Sequence, residues 1–238
     1  MDTTQDFYDH FIPYQKKSGI NERIYSLYKR LDKLGINSHS NILEIGCGIG
    51  SLTYLLSRKV KHGKIEAVDL SPESINYAKQ RLSKPYLQLT AGNILEYEPV
   101  NKSFDYILMF DVLEHIPTES HELLMMKISR WMHDNSTLLI NIPNPDYILY
   151  DLKYNPEVLQ KIDQPILIEN IVPLMSKASL NILYFETYGI WVKNDYQFII
   201  IKKKKVFNEI KLADERTLFE KTKVWIRRKW NRLFYQYP

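Results

Sequence analysis

Four clusters of residues in this 238-residue chain have the types and spacing to do chemistry. Glu44 and the alternating Gly46, Gly48 and Gly50 end the apolar run that begins at Asn41. Nineteen residues after Gly50, Asp69 closes a second apolar run, Ile65-Glu-Ala-Val-Asp69. Gly92-Asn93-Ile94 follows a third run, and Phe110, Asp111, Glu114 and His115 end and follow a fourth. Glycines let a backbone approach a ligand without interference from Cβ, and a strand-end acid can accept hydrogen bonds from both hydroxyls of a ribose. A histidine beside a glutamate is suited to moving a proton. Cys47, inside the glycine turn, reads as a small packed residue rather than a nucleophile, since nothing near it would depress its pKa. Glu44, on a buried strand, needs a partner in any reading.

The elements that must hold these residues alternate between strand and helix. Strands are expected near 41–46, 64–69, 86–90, 104–110 and 136–142, and helices at 50–59, 72–83 and 117–131. Ser71-Pro72 has the form of an N-cap followed by a first-turn proline. Such alternation implies a parallel sheet with helices on both faces. Ahead of it, apolar residues at Ile20, Ile24, Leu27, Tyr28 and Leu31 form a helical stripe stopped at Gly35. After Asn141-Ile-Pro-Asn-Pro145 the rhythm breaks, and strands return only at 181–188 and 195–202, with no helical crossover between them. That pair reads as an antiparallel hairpin. The chain therefore divides into an N-terminal helical cap (1–36), an α/β domain (37–205) and a C-terminal extension (206–238).

At Leu43-Glu-Ile-Gly-Cys-Gly-Ile-Gly50, Val68-Asp69-Leu-Ser71, Gly92-Asn93-Ile94 and Phe104 to Pro117, the chain resembles the class I S-adenosylmethionine-dependent methyltransferases over roughly residues 38–202. The resemblance implies a Rossmann-like, seven-stranded, mostly parallel sheet ending in the antiparallel hairpin. The competing nicotinamide-dependent fingerprint, Gly-x-Gly-x-x-Gly, wraps a pyrophosphate. Here the spacing is Gly-x-Gly-x-Gly with Glu44 before it, which suits a cationic ligand better. Carried over by position, the resemblance puts Gly46, Cys47 and Gly48 under the methionine and ribose of S-adenosylmethionine, with Glu44 orienting the turn. Asp69 would bind the ribose hydroxyls and Leu70 flank the adenine. Asn93, where relatives often have Asp, would line the adenine pocket with Ile94. Phe110 and Asp111 would face the methionine end.

Methyl transfer from a sulfonium is an in-line displacement, so positioning dominates, and a base helps where the acceptor is a hydroxyl. His115 is the candidate base, oriented or replaced by Glu114; the alternative is that Glu114-His115-Ile-Pro117 covers the cofactor without catalytic duty. Asp111, Glu114 and His115 also have the spacing to converge on one helical turn, resembling metal sites of some ubiquinone-pathway and small-RNA methyltransferases, but a fourth ligand is missing and no metal is assigned. Acceptor specificity is expected in the N-terminal helices and in residues 143–178, both rich in tyrosine: Tyr8, Tyr14, Tyr25 and Tyr28 in one, Tyr147, Tyr150 and Tyr154 in the other. Phe11-Ile-Pro-Tyr-Gln15, Asn21-Glu-Arg23 and Ile162-Asp-Gln-Pro-Ile166 are similar to segments of bacterial glycan-cluster methyltransferases, which puts Tyr14, Gln15 and Arg23 near the cofactor or acceptor. The expected acceptor is a hydroxyl of a surface-glycan sugar or lipid-linked saccharide. A quinone or phenol, an RNA, and an inactive cofactor-binding scaffold are the alternatives.

A single cysteine and a polar start without a basic, apolar leader point to a cytoplasmic protein. The formal charge of +4 is unevenly spread: residues 202–238 hold 12 Lys/Arg against 4 Asp/Glu, and the rest of the chain is slightly acidic. Phe219, Ile226, Trp230, Leu233 and Phe234 can share a helical face beside Arg227, Arg228, Lys229 and Arg232. This basic amphipathic extension suits the inner surface of an anionic membrane; the other readings are RNA, or docking on the domain or on a second subunit of a homodimer. A small molecule or glycan, not nucleic acid, is the expected partner.

Overall fold

A computed structural model describes residues 12–101, 103–159, 163–209, 211 and 215–235. Tyr8, Phe11 and Ile162, singled out above, lie outside the described residues. Residues up to Lys204 form one compact unit and those from Lys205 onward a second.

The first unit is built on β1 (Asn41–Ile45), β2 (Lys64–Asp69), β3 (Leu87–Ala91), β4 (Phe104–Phe110), β5 (Met132–Pro143), β6 (Leu180–Tyr188) and β7 (Tyr196–Lys203). Their order in the sheet is β3-β2-β1-β4-β5-β7-β6, with β7 antiparallel to both of its neighbours and the other pairs parallel. This is the expected sheet, hairpin included. Strand alternation divides the side chains between two cores. Leu43, Ile45, Ile107, Met109, Leu138, Ile140, Ile199 and Ile201 pack in one cluster with Leu124, Ile128, Ile171 and Met175 from α4 (His121–Trp131) and α6 (Ile168–Lys177). Ile42, Ile65, Leu108, Leu139 and Phe198 face the opposite side, with Leu27 and Leu31 of α1 (Glu22–Lys33) and Leu52 and Leu56 of α2 (Ser51–Lys59). Ala67 and Leu89 meet Ile75 and Ala78 of α3 (Pro72–Arg81), which Ser71 caps by accepting a 3.0 Å bond from the Ser74 amide.

Two departures from the sequence reading affect the site. The α1 stripe is less a separate cap than a layer of the core: Leu31 is fully buried, and Arg30 ion-pairs with Glu186 on β6 while lying 4.0 Å from the Tyr188 ring centre. At 141–145 regular structure is not broken: β5 runs to Pro143 and the next helix starts at Pro145. Asn144 caps α5 (Pro145–Tyr154), and α6 is the crossover that delivers the chain to β6, its Ile171 fully buried. Proline-rich punctuation at 142–145 marks the start of a helix here, with Pro145 at its first turn.

The second unit contains one long helix, α7 (Leu218–Phe234), opened by a reciprocal capping box between Thr217 and Glu220.

Candidate active site

The strand order turns at β1 and β4, and ligands of open α/β sheets bind beyond the carboxyl ends of strands at such a point. A cavity of about 710 Å³ opens there. Tyr14, Arg23, Glu44, Gly46, Cys47, Gly48, Asp69, Leu70, Asn93, Ile94, Phe110, Asp111 and His115 all line it, so thirteen of the residues predicted from sequence are brought together. Gly50 and Glu114 are not part of the lining.

On the β1–β2 side, polar groups are held by backbone. Gly46 and Cys47 donate from their amides to the Val68 carbonyl at 2.8 and 3.2 Å, clamping the turn onto β2. Asp69 accepts from the Gly48 amide at 2.6 Å through one oxygen and from the Ser71 amide at 2.9 Å through the other. An ionised carboxylate has about four acceptor positions, so holding the turn and accepting ribose hydroxyls are compatible. Gly46 has a φ of 76°, and a Cβ on it would lie 2.2 Å from a Val112 methyl. The turn after β1 and the loop after β4 can meet only because this residue has no side chain. Gly50 works differently, as the left-handed N-cap of α2 against Ala78 and Leu82 of the α3 region.

Glu44 finds its partner locally. Thr53 Oγ1, one helical turn into α2, donates to it at 2.6 Å. Burial raises the Glu44 carboxyl to about 8, with the Thr53 bond acting against that shift. Burial likewise pushes the Cys47 thiol up, so it stays protonated and is a packing residue. Asn93 accepts from the Leu95 amide at 3.0 Å, an Asx turn that directs Asn93 and Ile94 along the cavity wall.

The β4 side is assembled from distant parts of the chain. Asp111, at a φ of 53°, is fixed by its amide bond to the Asn141 carbonyl at 2.8 Å. Its carboxylate ion-pairs with Arg23 and accepts a long 3.4 Å bond from Asn141, which in turn accepts from the Tyr188 hydroxyl at 2.7 Å. Arg23 also donates to the Tyr196 hydroxyl at 3.4 Å. Burial works against the Arg23 charge, but Asp111 and Tyr196 outweigh it and hold the guanidinium's pKa above its ordinary value. Burial raises the Asp111 carboxyl, while Arg23 opposes that rise. Arg23 Nε and Gln15 Oε1 are buried without a hydrogen-bond partner among the described residues. Both residues line the cavity, as polar groups that await a ligand do.

After Asp111 the chain enters a single 3-10 turn, Leu113–His115, tied down by His121 Nε2 against the Leu113 and Ile116 carbonyls at 3.1 and 2.8 Å. This turn separates the three residues whose spacing suggested a metal site. Asp111 goes to Arg23, whereas His115 Nδ1 lies 3.1 Å from Asp163 Oδ1. Glu114 does not line the cavity; burial lifts its carboxyl to about 8, and His115 Nε2 lies 3.8 Å from it. Among the described residues no group of three His, Cys, Asp or Glu is placed to hold a metal ion. Asp163 is in place because Gln164 donates to the Glu114 carbonyl from its amide at 3.1 Å and to the Ile116 carbonyl from its side chain at 2.9 Å.

Sequence reasoning missed the hairpin's contribution. Trp191 and Tyr196 line the cavity, their rings 6.0 Å apart and edge-on. A tryptophan in a turn carries no periodic signal. Of the tyrosines expected to face the acceptor, Tyr14 lines the cavity, whereas Tyr25, Tyr28, Tyr147, Tyr150 and Tyr154 do not. From 143–178, Val158 is the lining residue among those described.

Residues 42–135, which carry the glycine turn, Asp69, Asn93, Asp111 and His115, match the family model of a methyltransferase domain. The chain is thus similar to methyltransferase domains over residues 42–135. Over 123 residues it is 28% identical to a probable (S)-tetrahydroprotoberberine N-methyltransferase 2 of Papaver bracteatum, covering 50% of this chain and 33% of that one. Over 101 residues it is 35% identical to a malonyl-[acyl-carrier protein] O-methyltransferase of Priestia megaterium, covering 42% and 35%. The chain thus spans about a third of the length of these curated relatives. The solved structure of magnesium protoporphyrin IX methyltransferase from Synechocystis PCC 6803 with bound SAH superposes at a TM-score of 0.67 and 14% identity, over 84% of this chain and 97% of that one. The methyltransferase fold therefore extends well past the matched segment, through the closing hairpin.

Proposed function

We propose that this chain transfers a methyl group from S-adenosylmethionine to a hydroxyl oxygen of a sugar, as a surface glycan or lipid-linked saccharide presents it. The observation that carries the reading is one cavity with two kinds of wall: Asp69 on the glycine-turn amides, and His115 with Asp163 on its Nδ1. When bound, the cofactor supplies an electrophilic methyl on a sulfonium. Asp69 accepts the ribose hydroxyls, and Leu70, Asn93 and Ile94 line the adenine. Arg23 and Asp111 are matched in charge to the carboxylate and ammonium of a methionine moiety, and the unpartnered Arg23 Nε and Gln15 Oε1 fit such a ligand.

On the acceptor side, Asp163 accepts the Nδ1 proton of His115, which leaves Nε2 as the basic nitrogen that takes the acceptor's proton. A carboxylate acceptor, or a tertiary amine, is a nucleophile without such help. A hydroxyl is not, so the His115–Asp163 pair favours an alcohol over an acceptor that needs no base. Trp191 and Tyr14, each more than half exposed at the cavity, offer flat apolar faces of the kind sugars stack on.

Calorimetry with S-adenosylhomocysteine tests the cofactor half. Asp69→Ala should weaken binding by about tenfold to a hundredfold for the lost charged hydrogen bonds, and unchanged affinity would remove the assignment. Isotopically labelled cofactor, offered with sugar acceptors and extracts, tests the other half. Label should reach a hydroxyl, and His115→Gln should bind cofactor normally yet lose most turnover. Label on nitrogen or a carboxylate would sink the alcohol reading, and cofactor binding with no transfer to any acceptor would leave a scaffold.

A further inference from the structure

The helix α7 is unused by the methyl-transfer reading, and its chemistry is specific. Over Leu218–Phe234, a rotation of about 100° per residue gathers Leu233, Ile226, Phe219, Trp230 and Phe234 on one side. Arg228, Lys221 and Arg232 fall together opposite the centre of that face, Arg227 and Lys229 lie at its two edges and Lys223 within it, and Glu220 is the single acid of the helix. Trp230 stacks on Phe234 with ring centres 5.0 Å apart on the apolar face, while Trp225 falls on the basic flank with Lys229 4.2 Å from its ring centre. Tryptophans beside lysine and arginine suit a helix at the boundary between hydrocarbon and lipid headgroups. The helix is neither long nor apolar enough to cross a membrane.

From this distribution we infer that α7 is a membrane-surface docking helix, seated in the plane of an anionic bilayer. The apolar side enters the acyl boundary and the basic flank meets phosphate headgroups. Charge selects the occupant. A second protein surface burying this face would have to supply an acidic rim, whereas an anionic bilayer supplies one everywhere along the helix. The inference does not rest on the identity of the methyl acceptor, although a lipid-linked acceptor would lie at the same surface.

The test uses the full chain and vesicles of phosphatidylglycerol and phosphatidylcholine, compared with phosphatidylcholine alone, by co-sedimentation at low salt and at 0.5 M salt. Binding is expected on the anionic vesicles, falling with salt, together with a blue shift of tryptophan emission. Arg227→Gln/Arg228→Gln/Arg232→Gln should lower the partition coefficient by roughly a hundredfold at low salt. Ile226→Asp/Trp230→Asp should abolish binding. Unaltered S-adenosylhomocysteine affinity in both variants shows that the sheet unit is folded. Four results would overturn the inference. One is absence of binding to anionic vesicles. Another is wild-type binding by the Ile226/Trp230 variant, which would mean electrostatic adsorption alone. A third is a dimer in sedimentation velocity that this variant converts to monomer, which would assign the face to a second copy. The last is displacement from vesicles by single-stranded RNA at equal phosphate, which would transfer the basic flank to nucleic acid.

Discussion

The two walls of the cavity are built on opposite principles. On the glycine-turn side the acids and Asn93 are satisfied by groups within 21 residues in sequence: Glu44 by Thr53, Asp69 by Gly48 and Ser71, Asn93 by Leu95. On the β4 side the partners come from far away: Arg23 joins Asp111 and Tyr196, Asn141 joins Tyr188, and His115 joins Asp163. There, too, buried polar atoms of Arg23 and Glu114 are without a partner among the described residues. A wall satisfied locally is shaped before any ligand arrives. A wall of long-range charge pairs holds its shape only while the whole fold does, and it keeps hydrogen-bonding capacity in reserve for what binds.

Removing Arg23 should break this contrast most severely. Arg23→Ala strands a largely buried Asp111 carboxylate. The expected cost in urea unfolding without ligand is about 2–3 kcal/mol, below the usual range for a fully buried pair because the cavity admits water to part of the guanidinium. In a double-mutant cycle, Arg23→Ala on an Asp111→Asn background should cost much less, since no stranded charge remains. Equal costs on both backgrounds would mean that the two residues do not act as a pair.

On the other wall the expected damage is smaller and steric. Gly46→Ala places a methyl where Val112 already is and forces a left-handed φ on a residue with a side chain. The expected loss is about 1–3 kcal/mol. Val112→Ala should recover the part due to the clash and leave the part due to φ. Complete rescue, or none, would show that only one of the two causes operates.

The same contrast explains what the sequence alone could reveal. The alternation of strands and helices, the hairpin and the donor-side wall follow from periodicity and from glycines and acids at fixed spacings, because each of those interactions closes within about twenty residues or at a strand end. Tyr196 and Trp191 reach the cavity only through the register of β7 against β5, which no local pattern specifies. Asp163 stands beside His115 because Gln164 is bonded to the turn at 114–116, across a separation of about fifty residues. The tyrosines of α5 were attractive by composition. Tyr150 and Tyr154 instead pair with each other, ring centres 4.7 Å apart, and do not line the cavity. The break expected at Asn141–Pro145 is the end of β5 and the start of α5, since proline at a first helical turn and proline in a loop look alike in one sequence.

The smallest effect is a pH dependence that both walls share. Burial raises Glu44 and Glu114 each to about 8 in the folded protein, against an ordinary glutamate value near 4.5 when unfolded. Between those two values the folded state holds protons that the unfolded chain has released, so stability must fall as pH rises. The contribution is fully present below about 4.5 and is lost as pH passes through 8. Thermal unfolding of the ligand-free protein should therefore shift to lower temperature between pH 5.5 and 8. Glu44→Gln keeps a hydrogen-bonding partner for Thr53 and removes the titration, so it should flatten part of that slope. A cationic ligand above the glycine turn should reverse the preference at Glu44, favouring the carboxylate and releasing a proton on binding near neutral pH. S-adenosylmethionine carries the sulfonium charge and S-adenosylhomocysteine does not, so the proton release should be larger for the first. Equal release for the two ligands would place the positive charge away from Glu44 and leave that carboxyl a purely structural partner of Thr53.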